Sequence, residues 1–207
     1  MVILDDVQRM DRLVSDISEA SRLDSELNRD EYNIIDVKQL VSNFFDISVS
    51  SERFAPEKLD IVIDDIDRQY LINGHQNRLI QVIRNLVDNA ETFSPKDKPI
   101  TIRCKSDQHS VYITVEDEGG GIPTSKLNTI FDRFYSERPS TEKFGAHSGL
   151  GLSICKQIVE AHYGNIWAEN IYSITKHKTG ARLVIALPKA KALKQADIDP
   201  SRENLES

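Results

Sequence analysis

No run of eighteen consecutive apolar residues occurs in this sequence, so nothing in it reads as a membrane-spanning helix. The start, Met-Val-Ile-Leu-Asp-Asp, lacks the positive charge that opens a secretory signal. Basic residues are in deficit: 26 Lys and Arg stand against 33 Asp and Glu, for a net charge of −7. That balance excludes a nucleic-acid binder driven by phosphate contacts. Cysteine is scarce. Cys104 and Cys155 are the two present, they lie in apolar-patterned segments, and their spacing is not that of metal ligands. Buried, reduced thiols of a cytosolic protein are the expectation. What is present is 39% apolar residues in a chain of 207, enough for one packed domain and an appendage.

Three groups of residues carry chemistry. Asn85 and Asn89 are four apart and share a helix face. Paired side-chain carbonyls suit a hard cation such as Mg²⁺, which takes oxygen ligands and retains water. Asp117 stands beside Gly119, Gly120 and Gly121, where backbone approaches a ligand without a Cβ in the way. An acid there accepts a hydrogen bond from an exocyclic amine. Ser148-Gly-Leu-Gly-Leu opens a helix, and a glycine-rich helix start offers free N–H groups to phosphate. The set reads as a site for ATP and Mg²⁺.

The periodicities order the rest. Ile3, Val7, Met10, Val14 and Ile17 form a heptad seam, the pattern of a bundle or coiled-coil helix. Residues 28–31 read as a linker and 32–37 as a strand. Residues 37–50 read as a helix with Val37, Leu40, Val41, Phe44 and Phe45 inward. Lys58–Ile63 is a strand, and Tyr70-Leu-Ile a short one closed by a turn at Asn73-Gly74. Residues 76–92 are a helix with Ile80, Ile83, Val87 and Ala90 on its core side. Residues 100–105 and 111–116 form a hairpin around Asp107-Gln-His. Gly151–His162 is a helix closed by Gly164. Residues 166–169 and 181–187 are the last strands. From Lys189 the chain is polar and charged, which predicts a tail without fixed structure over 190–207. The fold class is α/β, a two-layer sandwich of mixed sheet with helices on one face.

Residues Asn85 to Ser94, Asp117-x-Gly119-x-Gly121, Phe131-Asp-Arg-Phe134-Tyr135 and Ser148–Ser153 resemble, in order, the N, G1, F and G2 boxes of sensor histidine kinases. Their separations are family-like, and the resemblance covers roughly residues 1–188. Segments around Arg9–Leu23 and Ser136–Ser148 look more loosely like the alphaproteobacterial ChvG/BvrS type. The resemblance implies the Bergerat-type ATP-binding fold shared by histidine kinases, gyrase, Hsp90 and MutL. It makes 1–28 the second helix of a dimerisation bundle and 29–189 the catalytic domain. It implies a first bundle helix lying outside this chain, a parent anchored in the inner membrane, a homodimer built through the bundle, and a response regulator as partner, with this portion cytoplasmic.

Residue by residue, the resemblance makes Asn89 the principal Mg²⁺ ligand, with Asn85 completing the metal or water shell. Gyrase-like ATPases carry a water-activating glutamate where Asn85 stands. An asparagine takes no proton at neutral pH, so ATP is held without ready hydrolysis. Asp117 accepts from the adenine amine, while Ile122 and Phe93 line the apolar slot beside Gly119 and Gly121. Gly149, Leu150 and Gly151 give N–H groups to the phosphates. The stretch from Ile122 to Ser148 reads as a mobile lid anchored by Phe131, Phe134 and Tyr135, with Arg133 its cation near the phosphates.

Three residues depart from the family: Thr92 replaces a usual lysine, His147 the first glycine of the G2 box, and Ser136 a frequent arginine. None of His75, His109, His147, His162 and His177 has the His-Glu/Asp-x-x-Asn/Thr-Pro context of the phosphoacceptor. The expected function is the ATP-binding catalytic portion of a histidine kinase whose acceptor histidine lies on another helix. The alternative is a non-catalytic nucleotide- or partner-binding regulatory module of the same fold.

Overall fold

The computed structural model describes residues 32–135 and 149–190. The heptad helix, His147, the second half of the expected lid and the expected tail beyond residue 190 lie outside the described residues.

Ten elements alternate along the described chain: β1 (Asn33–Asp36), α1 (Val37–Ser50), β2 (Leu59–Ile63), β3 (Leu71–Gly74), α2 (Gln76–Phe93), β4 (Ile100–Ser106), β5 (Ser110–Glu116), α3 (Gly151–Ala161), β6 (Asn165–Tyr172) and β7 (Lys178–Pro188). Five strands form one sheet in the order β2-β4-β5-β7-β6. The β2–β4 pair is parallel and the remaining pairs are antiparallel. β1 and β3 make a separate antiparallel pair.

Alternation along the strands decides the layers. Ile100, Ile102, Cys104, Val111, Ile113, Val115, Leu183, Ile185 and Leu187 are all buried and join one cluster with the helices. The intervening positions carry Thr101, Arg103, Thr114, Glu116 and Arg182, a polar outer face. There Arg103 pairs with Asp64 at 2.8 Å, and Arg182 with Glu169 at 2.7 Å. A sheet with one wet face and one face under helices is the two-layer sandwich the pattern predicts.

α1 starts where expected because the Asp36 side chain caps it, accepting from the Lys38 N–H at 2.9 Å. α2 buries Leu79, Val82, Ile83, Leu86, Val87 and Ala90, a stripe wide enough to pack on both the sheet and α3. Each such Leu, Ile or Val contributes about 1.5–3 kcal/mol by leaving water. Ile80, expected inward, is half-buried at the edge of this stripe, and so is Phe45 on α1.

Three expectations change. Asn73-Gly74 is not a turn: β3 runs through both, paired with Ile34 and Asn33. Gly74 is there for contact, since a Cβ on it would lie 2.6 Å from the His162 ring. The last hairpin is longer than predicted, with β6 and β7 extending to Tyr172 and from Lys178. The chain past the last strand stays attached for two residues. The Lys189 N–H donates to the His109 carbonyl at 2.9 Å, and that of Ala190 to Leu71 at 2.8 Å.

Around Gly74 lies an aromatic cluster that periodicity does not reveal. His162 caps α3 and is buried. Its Nε2 accepts from the His75 N–H at 3.0 Å, and its Nδ1 lies 2.7 Å from the Ile158 carbonyl. That pattern requires a neutral ring with the proton on Nδ1. Tyr32 closes the cluster. Its ring lies 4.3 Å from that of His75, and its hydroxyl donates to the Ala161 carbonyl at 2.6 Å. Burial, with His75 nearby, pushes the His162 pKa below its ordinary 6.5.

A depressed folded-state pKa means the unfolded chain takes up the proton first on acidification. His162 thus contributes stability that is full above about pH 6.5 and is lost as pH falls toward its lowered folded value. Urea unfolding at pH 8, 6.5 and 5 is expected to show that loss, and His162→Gln to flatten it. An equal pH slope in wild type and variant would exclude His162 as its source.

Candidate nucleotide site

α2 is the spine of the site. Its middle and its C-terminal end meet two glycine segments that the sequence places far apart. Near the middle, Asn85 Nδ2 donates to the Gly151 carbonyl at 3.4 Å, a long bond that sets Asn85 against the first residue of α3. Two turns on, about 12 Å along the helix, a Cβ on Gly119 would lie 2.3 Å from the Phe93 carbonyl. Asn89 falls between and is half-buried. One face of α2 thus runs from the G2-like segment to the G1-like segment.

The phosphate end is electrostatically prepared. α3 has no side-chain cap and no acidic residue in its first turn. Its first N–H groups and positive dipole end are therefore left for an anion. Leu150 is buried and anchors the turn, and its carbonyl accepts from the Ser153 hydroxyl at 2.8 Å. Gly149 has φ +73°, and a Cβ there would lie 2.7 Å from the Tyr135 carbonyl. Burial pushes the pKa of the Cys155 thiol, which donates to the Val82 carbonyl at 3.8 Å, up to about 12. Cys104 is held at about 12 for the same reason, so both thiols are buried and unreactive, as expected.

The base end is built on Asp117, which is buried at the end of β5. Its Oδ1 accepts from the Gly119 N–H at 2.8 Å and the Ala181 N–H at 3.3 Å. Those bonds leave Oδ2 for a ligand. Burial raises the Asp117 pKa, against the pull of the two backbone donors. Gly121 takes φ +72°, which favours glycine, and turns the chain into Ile122. Ile122 is half-buried against the core, whereas the Phe93 side chain is exposed. A depression of about 300 Å³ behind Asp117, lined by Pro99, Thr101, Glu116, Glu118, Ile171 and Thr179, opens on the polar face of the sheet. Its carboxylates repel phosphate, so it is not the nucleotide's seat.

The expected lid is only partly irregular. Residues Thr124–Lys126 and Thr129–Phe131 form short 3₁₀ turns, and Ile130 and Phe131 are buried. Phe134 is not an anchor: it is 64% exposed, with φ +65°. It is held by its backbone, whose N–H donates to the Gly149 carbonyl at 3.1 Å. Residues 135 and 149 therefore meet at one root, and exposed Arg133 stands beside it. Thr92, in the usual lysine's place, turns its hydroxyl back to the Asp88 carbonyl at 2.9 Å.

The sequence reading missed Asn170, Lys178 and Gly180. All three come from the last hairpin and touch the Asp117–Ile122 segment. The one available signal was Gly180 at the start of an apolar strand.

A two-layer sandwich with a helix face joining a phosphate-ready turn to a buried acid defines an ATP-binding domain of the GHKL kind. The chain belongs to the family of histidine kinase-, DNA gyrase B- and HSP90-like ATPases, which it matches over residues 74–191, more than half its length. It is similar to the sensor protein ChvG of Agrobacterium fabrum, with 41% identity over 92% of this chain and 33% of that protein. It is also similar to the sensor histidine kinase WalK of Bacillus subtilis, with 33% identity over 83% of this chain and 28% of that one. The chain thus spans about a third of the length of these curated relatives. Among solved structures, the mycobacterial sensor histidine kinase MprB shares the fold at TM-score 0.62 and 23% identity, covering 76% of this chain and 97% of that one. Histidine kinase ThkA, solved in complex with response regulator protein TrrA, shares it at TM-score 0.67 and 23% identity, over 91% and 50%.

Proposed function

We propose that this chain is the ATP-binding catalytic portion of a sensor histidine kinase, passing the ATP γ-phosphoryl to a histidine on a bundle helix and so to a response regulator. The observation that carries it is the uncapped start of α3 set against Asn85, an anion site facing an oxygen ligand on α2. Asn89 and Asn85 would hold Mg²⁺, whose charge screens the phosphates. The donor set fits a hard ion: two side-chain amides, both half-buried and so within reach of retained water.

The chain's own residues orient the nucleotide and keep water inert. Asp117 Oδ2 takes the adenine amine, with Gly119, Gly121, Ile122 and Phe93 around the base. Gly149, Leu150 and Gly151 present backbone N–H groups to the phosphates. Arg133, at the lid root, supplies positive charge near the γ-phosphoryl. Asn85 cannot accept a proton, so water is not activated and the phosphoryl waits for its acceptor. Catalysis is then positioning and charge neutralisation. We take the parent to be dimeric through its bundle and membrane-anchored, with this portion on the cytoplasmic side, as the motif resemblance to sensor histidine kinases implies. Among the described residues no helix is long and apolar enough to cross a membrane.

The described histidines do not resemble acceptors: His75 and His162 are buried, and His109 and His177 sit at strand ends and turns. Incubated alone with labelled ATP and Mg²⁺, the chain is expected to gain no acid-labile label. Mixed with a bundle fragment bearing an acceptor helix, it is expected to label that fragment. Label on the isolated chain, or none on the fragment despite bound ATP, would overturn the proposal.

A further inference from the structure

The segment that follows Asp117 leaves the sheet, yet it is held as firmly as a strand. At its start, the Asp117 N–H donates to the Ala181 carbonyl at 2.9 Å. At its end, the Ile122 N–H donates to Asn170 Oδ1 at 2.6 Å, and Asn170 Nδ2 donates to the Ile122 carbonyl at 2.8 Å. One side-chain amide thus meets both backbone groups of one residue, as a rung of a β-ladder would. Lys178 Nζ adds a third bond, to the same carbonyl, at 2.8 Å. Asn170 projects from β6 opposite Ala181, so the residue that holds Ile122 is paired with the one that holds Asp117. Gly121 completes the fit, since a Cβ on it would lie 2.7 Å from Asn170 Oδ1.

We infer that Asn170, seconded by Lys178, is a positioning residue of the base subsite and sets the preference for adenine over other bases. The inference rests on the reading of Asp117 as the partner of the adenine amine. Asn170 touches no nucleotide in this account. It acts by fixing the distance between Asp117 and Ile122, the polar and apolar walls of the slot. The choice of asparagine follows from the chemistry. Aspartate has no donor for the Ile122 carbonyl, and leucine neither donates nor accepts. Lys178, with donors only, can share the carbonyl but cannot replace the acceptor.

The test compares ATP, inosine triphosphate and Mg²⁺-tripolyphosphate on the intact chain by calorimetry. Inosine carries an oxygen where adenine carries its amine, and tripolyphosphate has no base. Asn170→Ala removes two hydrogen bonds and is expected to weaken ATP about tenfold. Inosine triphosphate and tripolyphosphate should change by less than about twofold, so the ATP preference falls. Asn170→Asp is expected to fall between the two, and Lys178→Met to shift ATP in the same direction by a smaller factor. A purely structural role predicts instead that all three ligands weaken together, or that melting falls while the preference stays, and either result overturns the inference. If Asn170→Ala does not fold, Lys178→Met decides: an unchanged ATP to inosine triphosphate ratio in that variant overturns it. Wild-type protein that binds ATP and inosine triphosphate equally would instead remove the underlying reading of Asp117.

Discussion

Asparagine in place of Asp117 will remove most of the chain's selective affinity for ATP and leave it folded. The carboxylate has two duties on two oxygens. Oδ1 receives the N–H groups of Gly119 and Ala181 at 2.8 and 3.3 Å, and Oδ2 is offered to the base. An asparagine can satisfy one side only. With its carbonyl toward the backbone donors, its amide faces the adenine amine, donor against donor. Flipped, it faces two backbone N–H groups in a buried place. Either way about 1–3 kcal/mol is lost, roughly a five- to 150-fold weakening. Calorimetry on the folded variant measures it, with Asn89→Ala as the companion at the metal end. The pH dependence has a definite sign as well. Burial raises the Asp117 pKa, so acid protonates it sooner than an ordinary carboxyl. Protonation competes with the adenine amine, and ATP binding is expected to weaken as the pH falls. Wild-type affinity in the asparagine variant would remove Asp117 from the base subsite.

The parts of this architecture that repeat were legible, and the parts made by two distant segments were not. Helix α2 was readable because its apolar stripe follows the 3.6-residue period over eighteen positions. Asn85, Asn89, Asp117 and the glycines stood out as candidates because they cluster within short segments. Gly74 misled because an Asn-Gly pair signals a turn when neighbours alone are considered. Its real constraint is the His162 ring, 2.6 Å from where a Cβ would be and 88 positions along the chain. Phe134 misled because an aromatic residue suggests burial. Its backbone, at φ +65° and bonded to Gly149, is what the fold uses. Asn170 gave no signal at all. A polar residue in a hairpin strand reads as solvated, and only the crossing of β6 past the Asp117 segment makes it a clamp.

Gly180→Ala will damage this domain more than any other glycine-to-alanine change among its described residues. A Cβ on Gly180 would stand 1.9 Å from the Asp117 carbonyl oxygen and 2.9 Å from its carbon. The obstacle is backbone, so no side chain can swing aside. That backbone is also tied, because Glu116 pairs with Arg182 across β5 and β7, and the Asp117 N–H donates to Ala181 at 2.9 Å. Relief therefore means parting two central strands where Asp117 is held. Overpacking of a well-filled site costs about 1–3 kcal/mol and more where nothing yields, and here the upper end applies. The site suffers with the fold, because displacing Asp117 moves the oxygen meant for adenine. Gly120 supplies the contrast: a Cβ there meets nothing within 4 Å. Gly120→Ala is expected to melt within a degree or so of wild type and to bind ATP normally. Gly180→Ala is expected to melt several degrees lower, at about 2–4 °C per kcal/mol in a domain of this size, and to bind ATP at least tenfold more weakly. Thermal unfolding and a nucleotide titration on the two variants side by side measure both effects. Equal melting and equal affinity would show that β5 and β7 can separate there without cost, and that the close approach at Gly180 does not hold Asp117 in place.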